Sequence, residues 1–287
     1  MLEVETPTLS KYAVTEPNIQ SLKTHIDESA YYLQTSPEYF MKRLLAAGAP
    51  DIYQISKAFR ASEYGVNHNP EFTLVEWYRH QFDLQQMMSE TADFVRVLLE
   101  TQLDDEQAVY VRYFDAMRQA LGVDVQQCSY TELLMIAQKN GLQTKGSLSI
   151  DQLYDFIFST IVVASFSPKI ITVVYHYPAS QASLAKLSVD NSMVADRFEV
   201  FVGNKELANG FVELTDADEQ VERFKRDQQL RENLGLVEVD IDEKFIAALR
   251  HGLPACAGVA VGLDRVAMLV AGSSSISEML SFSWSQV

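Results

Sequence analysis

Apolar and polar positions repeat along the chain with two different periods, which predicts a mixture of strands and helices. Period-two alternation marks strand-like segments at residues 51–59, 71–79, 196–202 and 205–214. Gly203–Asn204 separates the last two segments, and this dipeptide is a strong signal for a tight hairpin turn. A long loop at 60–70 joins the first two. Long ordered loops are often functional, so this loop is a candidate site.

Helical patterns occupy much of the remaining chain. Spacing near 3.6 residues or helix-end signals predict helices at 36–48, 83–102, 131–140, 151–165, 216–234, 241–251 and from Asp264. In the first helix, Ser36 suits the N-cap, Pro37 the first helical position and Gly48 the C′ position. Further strands are expected at 3–7, 169–177 and 256–263.

The order of these segments predicts the fold class. Strands come first, a helical insertion follows at roughly 83–165, and strands return after it. This order is typical of an α+β fold with a mainly antiparallel sheet flanked by helices. We expect a single catalytic domain over residues 1–287.

Composition narrows the class of protein. The formal net charge is −16, which argues against charge-driven binding to nucleic acid. Cys128 and Cys256 form no C-x-x-C pair, and the start of the chain has no signal-peptide pattern. The longest apolar stretch, FIFSTIVVASF, is too short to cross a bilayer. We therefore expect a reduced cytoplasmic protein without membrane association.

The segment 71–79 carries an acid on an otherwise apolar face. Alternation puts Phe72, Leu74, Glu76 and Tyr78 on one face of the strand. A buried carboxylate is costly unless it has a partner. Glu76 therefore belongs either to a solvated face with one ion pair or to a binding site. The loop before this strand concentrates polar groups: Arg60, Glu63, His68 and Asn69.

Two acids in the second hairpin predict a cation site. With Gly203–Asn204 as the turn, Glu199 and Glu206 lie diagonally on one face, about 7 Å apart. This separation suits a divalent cation with oxygen ligands, although two surface glutamates would give the same pattern. Parity puts Asn209 and Glu213 on the opposite face. A common site for all four requires a β-bulge at 208–210.

The segment GVAVGLDRVAML joins a strand of small residues to a helix. Gly258, Ala260 and Gly262 allow close approach to the backbone. Arg265 follows Asp264 in the first turn of the helix, where a cation is unfavourable. Arg265 therefore either reaches an anion or forms a structural ion pair. The sequence contains no P-loop, no G-x-G-x-x-G, no zinc-ligand spacing and no nucleophile elbow.

Together and in this order, these segments resemble the catalytic core of class II aminoacyl-tRNA synthetases, specifically lysyl-tRNA synthetase. EVETP is similar to the end of the first class motif, FRASEYGVNHNPEFTLVEWY to the second and GVAVGLDRVAML to the third. SPEYFMKRL and ELANGFVELTDADEQVERF are similar to the lysine-type segments. No counterpart of the anticodon-binding domain is present. The chain is most similar to the stand-alone paralogues, the elongation factor P–(R)-β-lysine ligases, as YHYPASQASLAKL and Ala260 also indicate.

The resemblance implies an ATP-dependent, AMP-forming ligase. Such a ligase activates (R)-β-lysine as an adenylate and moves it to a lysine side chain of elongation factor P. The implied cofactors are ATP and Mg²⁺, and the implied assembly is a homodimer. The absent anticodon-binding domain and the charge of −16 argue against tRNA as a partner. The rival hypotheses are a truncated lysyl-tRNA synthetase and an inactive regulatory paralogue.

The resemblance also implies a role for each matching residue. ATP would be bound by Arg60, Ser62, Glu63, His68, Asn69, Phe72, Glu206, Leu207, Gly262 and Arg265, of which Arg60 and Arg265 are catalytic. The amino acid would be bound by Ser36, Pro37, Glu38, Glu76, Tyr78, Asn209, Glu213 and Ala260, and the metal ion by Glu199 and Glu206.

Within these sets, Arg60 would hold the α-phosphate and the amino-acid carboxylate. Phe72 would stack under adenine, and Arg265 would cover its other face and touch the γ-phosphate. Glu38 would bind the backbone-end amine of the amino acid. Glu213 and Tyr78 would hold its ε-ammonium.

The chain departs from the lysyl-tRNA synthetase pattern at two points. The glutamate that contacts adenine two places after the arginine is replaced here by Ser62, and Glu63 follows one step later. We expect Glu63 to take this role, with Ser62 as the alternative. The sequence starts at the strand of the first motif, so it does not include the long helix that precedes this strand and builds the dimer.

Overall fold

The computed structural model describes residues 1–144 and 146–287, and within them the chain folds as the predicted α+β class. The strands are β1 (Leu2–Glu3), β2 (Leu9–Ser10), β3 (Lys23–Ile26), β4 (Ser29–Leu33), β5 (Ile52–Phe59), β6 (Glu71–His80), β7 (Val109–Arg112), β8 (Ile171–Pro178), β9 (Val194–Val202), β10 (Lys205–Val212) and β11 (Cys256–Gly262). The α-helices are α1 (Glu38–Ala46), α2 (Leu84–Leu98), α3 (Tyr113–Leu121), α4 (Tyr130–Lys139), α5 (Ile150–Ile157), α6 (Ala217–Asn233), α7 (Glu243–Gly252) and α8 (Leu263–Ala271).

The chain divides into two compact units. One contains residues 1–87 and 210–287, and the other contains residues 88–209. The division falls inside α2 and inside β10. The expectation of one catalytic domain over 1–287 stays a prediction.

The first unit contains the predicted hairpin of β5 and β6. In its sheet β1 runs parallel to β5, whereas β5 with β6 and β6 with β11 are antiparallel. The register sets Ala260 opposite Glu76 and Gly258 opposite Tyr78. Helix α8 packs against β6. This arrangement brings the predicted acid face of β6 beside the small residues of β11.

Helices α1, α6 and α7 of the first unit pack together through aromatic rings. Tyr39 stacks on Phe245 with ring centroids 4.5 Å apart and planes 3° apart, and Phe224 lies 6.0 Å from Tyr39. Gly48 follows the end of α1 with a φ of +93°, as expected for a C′ glycine. The aromatic contacts fix α1, which carries Glu38, on the other two helices.

The second unit contains the other predicted hairpin. β7 and β8 are parallel, β8 and β9 are antiparallel, and β9 turns at Gly203, whose φ is +57°, into β10. The helices enclose an aromatic core, in which Tyr113 stacks on Phe158 at 4.5 Å and lies 4.8 Å from Tyr177. Tyr177 stands on β8, one strand from the metal-site candidate on β9.

Some predicted boundaries and caps were wrong. Pro37, not Ser36, is the N-cap of α1, and no side chain caps this helix, because the proline occupies the position itself. The strand expected at 3–7 is Leu2–Glu3, the residues in register with β5, and the Val4 N–H adds one hydrogen bond to the Tyr53 carbonyl. The segment expected to be one helix at 151–165 is α-helical only as far as Ile157. A π-helical turn and then a 3₁₀ turn follow it.

Other elements were not predicted at all. Strand β7 and helix α3 lie within the insertion expected at 83–165, so this segment is not purely helical. Residues 9–33 form a small three-stranded sheet of β2, β4 and β3. In the part of the chain that the structure describes, no helix has the length and apolar character needed to cross a membrane.

Candidate active site

The loop between β5 and β6 is a compact structure that holds Arg60 in place. The Arg60 N–H donates to the Pro70 carbonyl at 2.9 Å, and the guanidinium lies over the Phe72 ring at 5.1 Å. Its Nη1 is 3.6 Å from Glu63 Oε1. The buried Arg60 Nε makes no hydrogen bond to the described residues. A positioned guanidinium with a buried, unused donor is suited to an oxyanion.

Ser62 and Glu63 differ in conformation and contact. Ser62 adopts the left-handed backbone region, with φ of +64°, and so turns the chain after Arg60. The Glu63 carboxylate points to Arg60 and is 28% exposed. The choice between these two residues as the adenine contact stays a prediction.

The first turn of α8 brings Arg265 to the same loop. Gly262 is the N-cap of α8, and the Asp264 carboxylate accepts a hydrogen bond from the Thr73 N–H at 2.5 Å. This bond ties α8 to β6. Arg265 Nε donates to the Asn67 carbonyl at 3.3 Å, and Nη2 lies 2.9 Å from His68 Nε2. Two of the predicted ATP residues, Arg265 and His68, are therefore in contact.

Asn69 is buried, and its amide is used within the protein. Its Nδ2 donates to the Glu71 carbonyl at 2.6 Å, and its Oδ1 accepts from the Trp284 N–H at 3.1 Å. The Trp284 ring lies 6.1 Å from the ring of Tyr64. Asn69 thus connects the loop to the C-terminal segment, a contact that the sequence did not indicate.

A buried cluster of one lysine and two glutamates lies beside α1. Lys42 Nζ is 2.5 Å from Glu38 Oε1 and 2.5 Å from Glu213 Oε2. The Lys42 side chain is 1% exposed, and that of Glu213 is fully buried. The contact with Glu38 is a hydrogen bond. The contact with Glu213 is a close ion pair to Oε2, and Oε1 is the oxygen of this carboxylate that has no partner among the described residues.

Glu76 and Tyr78 complete this pocket from β6. The Tyr78 hydroxyl donates to Glu76 Oε1 at 2.5 Å, which confirms that the two side chains share a face. Glu76 is 3% exposed, so it does not lie on a solvated face. A Cβ at Gly258 would overlap the Tyr78 ring and lie 2.5 Å from Glu213 Oε1. Glycine at this position is what lets both Tyr78 and Glu213 approach the backbone of β11.

The acid cluster strongly perturbs the pKa values of its members. Burial, followed by repulsion from Glu38, raises the pKa of Glu76 to about 8. Burial also raises the pKa of Glu213 to about 8, against the opposing effect of Lys42. Burial acts to lower the pKa of Lys42, but Glu213 and Glu38 outweigh it and the pKa is raised. Lys42 therefore stays charged, whereas Glu76 and Glu213 both hold protons more readily than ordinary glutamates, and a bound cation would favour their ionised forms.

In the second unit, Glu199 is held by a separate network. Arg197 donates to Glu199 Oε1 at 2.5 Å and to Asn209 Oδ1 at 3.0 Å, and Tyr177 donates to Glu199 Oε2 at 2.7 Å. Burial, then the charge of Glu206, raises the pKa of Glu199 to about 7. Asn209 and Glu199 thus contact the same guanidinium. The bulge expected at 208–210 stays a prediction.

Glu199 and Glu206 are suited to a divalent cation, although the described residues contain no group of three or more His, Cys, Asp or Glu side chains that could hold a metal ion. Both glutamates are half-buried rather than surface residues. They repel each other, and the remaining lone pairs of their oxygens are the donors that Mg²⁺ prefers. Mg²⁺ commonly keeps waters and phosphate oxygens as its other ligands, so two carboxylates are enough.

The other predicted residues lie at the edges of these groups. Ser36 and Pro37 precede α1, Ala260 faces Glu76 across the β6–β11 pair, and Leu207 is buried in β10. Among the residues that contact predicted ones and that the sequence reasoning missed are Lys42, Tyr177, Arg197 and Trp284. The sequence did indicate that Lys42 is buried, because Leu45 and Ala46, three and four residues later, place it on the apolar face of α1.

The fold, the loop and the acid pocket define a class of protein. From residue 1 to residue 286 the chain matches the family of class II tRNA synthetases (D, K and N). It is 43% identical to the elongation factor P–(R)-β-lysine ligase of Haemophilus ducreyi over 98% of this chain and 87% of that protein. It is 44% identical to the enzyme of the same name from Histophilus somni strain 2336, over 98% and 88%. The corresponding enzyme of Photorhabdus laumondii is 43% identical over 99% and 88%.

The class is therefore that of the class II aminoacyl-tRNA synthetases, whose members use ATP. Within this class, the chain belongs to the family of elongation factor P–(R)-β-lysine ligases.

Proposed function

We propose that this protein activates (R)-β-lysine with ATP and transfers it to a lysine side chain of elongation factor P. The names of its relatives support the substrates. In this proposal the protein acts in the cytoplasm as a homodimer, with elongation factor P rather than tRNA as acceptor.

The observation that carries the proposal is the buried acid pocket of the first unit. Glu213 is fully buried, and its Oε1 has neither a hydrogen-bond partner nor an ion-pair contact among the residues that the structure describes, because Lys42 contacts only Oε2. Buried acceptors without donors are costly, so Glu213 is suited to a ligand that brings N–H donors. Glu38 and Glu76 add two further carboxyls nearby. A diamino acid has two ammonium groups that would satisfy them.

The roles within this pocket follow the sequence prediction. Glu213 and Tyr78 bind the ε-ammonium, with Glu76 beside them. Glu38, together with Ser36 and Pro37, binds the other amine. A charged partner is what makes burial of an ammonium affordable, since an unpaired buried charge is strongly destabilising.

The activation step needs positioning and charge rather than a protein nucleophile. The substrate carboxylate attacks the α-phosphorus of ATP, the bond from that phosphorus to the bridging oxygen breaks, and pyrophosphate leaves. Arg60 binds the α-phosphate and the substrate carboxylate, which brings the reacting groups together and stabilises the charge that develops. Phe72 supports one face of adenine, and Arg265 and His68 bind the nucleotide from the side of the other face.

Glu199 and Glu206 would hold Mg²⁺. When bound, this ion would neutralise charge on the phosphates of ATP. Arg197 and Tyr177 orient the Glu199 carboxylate for this purpose.

The transfer step uses the acceptor as the nucleophile. The neutral ε-amine of an elongation factor P lysine attacks the carbonyl carbon of the adenylate, a C–N bond forms, and AMP leaves. The amine loses one proton in this step. No side chain of this protein forms a covalent bond.

Pyrophosphate exchange into ATP tests the activation step. We expect exchange with (R)-β-lysine, weaker exchange with α-lysine, and none with norleucine, which lacks the second ammonium. In Glu213→Gln, loss of a charged hydrogen bond should raise the KM for (R)-β-lysine about 10–100-fold, with little change in the KM for ATP.

A matched control is Glu238→Gln, because Glu238 lies on the surface. This control should behave as the wild type. Exchange supported equally by norleucine and (R)-β-lysine would contradict the proposal, and absence of exchange with every amino acid would indicate a binding protein instead.

A further inference from the structure

The feature that the proposed function leaves unexplained is Lys42. Its ammonium is buried between the two carboxylates that are expected to bind the two ends of the substrate, Glu38 and Glu213, at 2.5 Å from each. It also lies 5.1 Å from the ring of Phe211 and 5.9 Å from the ring of Phe245. Two carboxylates and two aromatic faces therefore fix the position of this charge.

The charges around Lys42 can be counted from the groups that face it. Glu38 and Glu213 contact it directly, and Glu76 interacts with it from β6. Tyr78 and Cys256 are the other titratable neighbours, and both are neutral at physiological pH, because burial raises the pKa of each hydroxyl or thiol further. Burial favours the protonated forms of Glu76 and Glu213 in the empty pocket, and bound ammonium groups favour their ionised forms. Three ionised carboxylates against one lysine ammonium then leave two negative charges for the ligand.

Two negative charges match the two ammonium groups of a diamino acid. Without Lys42 the pocket would hold three carboxylates within a small buried volume, which is unfavourable unless protons neutralise them. If the pocket held a second lysine, one negative charge would remain, and the pocket would suit a substrate with one ammonium group.

We propose that Lys42 is a specificity-determining positioning residue, a built-in counter-ion that joins Glu38 to Glu213 and sets the pocket for a substrate with two ammonium groups. This inference rests on the proposed function. Lys42 does not touch the reacting atoms. It acts by placing a positive charge against both carboxylates and by fixing the distance between them.

Lys42→Met tests the inference, because methionine fills similar space without the charge. We expect the KM for (R)-β-lysine in pyrophosphate exchange to rise about 10–100-fold, with the KM for ATP within about twofold of wild type. The matched control is Lys57→Met in the same unit. The Lys57 side chain is 48% exposed, and within the described residues its ion pair is a surface contact with Glu71, so this variant should be unchanged.

Chemical rescue by added ammonium ions distinguishes this role from a purely structural one, because a lysine that only supports the fold would not give a KM that depends on the added ion. In Lys42→Ala, ethylammonium chloride should lower the KM for (R)-β-lysine, because its ammonium can occupy the vacated position between Glu38 and Glu213. Tetramethylammonium chloride at the same ionic strength should not, because it has no N–H donors. If Lys42→Ala is poorly folded, ethylammonium should raise its Tm while tetramethylammonium does not.

The outcomes separate this inference from the proposed function. Wild-type exchange with (R)-β-lysine, combined with an unchanged KM in Lys42→Met or equal effects of the two salts on Lys42→Ala, would overturn the role of Lys42 and leave the ligase function standing. Absence of exchange by the wild type with any diamino acid would overturn both.

Discussion

Gly258→Ala is the substitution whose effect can be worked out most directly from the geometry of the pocket. A Cβ at this position would lie 2.5 Å from Glu213 Oε1 and 2.7 Å from Cδ1 of Tyr78, and still closer to Cε1 of the same ring. Real Cβ atoms do not approach other atoms at such distances. Tyr78 and Glu213 are both about 2% exposed, so neither side chain can move into solvent.

The substitution is expected to lower the free energy of unfolding and to weaken substrate binding. Overpacking a buried site by one methyl group costs about 1–3 kcal/mol. For a chain of this size, each 1 kcal/mol corresponds to a decrease in Tm of roughly 2–4 °C. The Glu213 carboxylate must also shift from its place beside Lys42, so the KM for (R)-β-lysine should rise about tenfold or more.

Thermal unfolding by circular dichroism measures the first effect, and pyrophosphate exchange measures the second. Gly146→Ala is the matched control, because a Cβ there meets nothing within 4 Å and its backbone is not left-handed. We expect the control to keep the wild-type Tm and KM. Wild-type values for Gly258→Ala in both assays would refute the close packing of Tyr78 and Glu213 described above.

The remaining predictions concern pH, the metal-site network and the adenine site. The pKa of Glu76 is raised from its ordinary value of 4.5 to about 8, so its contribution to stability is complete below pH 4.5 and is lost as the pH rises through 8. Glu76 alone should therefore account for a loss of at most about 4–5 kcal/mol of unfolding free energy in the unligated protein between pH 5 and 8. Denaturant titrations at each pH check this, and an equally steep loss in Glu76→Gln would contradict it. Arg197→Lys cannot keep all the bonds from Arg197 to Glu199 and its neighbours, so calorimetric titration should show weaker Mg²⁺ binding in the presence of ATP; an unchanged titration would contradict the positioning role. Phe72→Ala should raise the KM for ATP about 5–100-fold through loss of base stacking, while Phe72→Tyr should keep it; equal values in both variants would exclude the stacking role.

The sequence predicted the parts of the site that depend on local periodicity. Alternation in β6 put Glu76 and Tyr78 on one face, and the hydrogen bond between their side chains confirms it. Small residues on β11 predicted close approach to the backbone. At Gly258 this approach is made by side chains of the protein itself.

The role of Lys42 could not be predicted from local pattern alone. Glu38 and Lys42 are four residues apart on a helix, which is the common spacing of a solvated surface pair. The difference is made by Glu213, which lies 171 positions later than Lys42 in the chain yet 2.5 Å from its ammonium. Burial of this kind is a property of tertiary structure. Only the apolar neighbours Leu45 and Ala46 gave a local indication of it.

The elements that were missed are short and weakly patterned. β3 and β4 in the small sheet are partly exposed on both faces, so they show no clean alternation. β7 is four residues long and pairs in parallel with β8, a partner about sixty residues away. Such strands are stabilised by their distant partners rather than by intrinsic propensity.

Intact-mass analysis of the acceptor tests the proposed activity most directly. The protein is incubated with ATP, Mg²⁺ and (R)-β-lysine in the presence of either elongation factor P or lysine tRNA. We predict that elongation factor P gains the mass of one lysyl residue, that a variant lacking the acceptor lysine gains none, and that the tRNA stays uncharged. Charging of the tRNA without any change in the mass of elongation factor P would contradict the account.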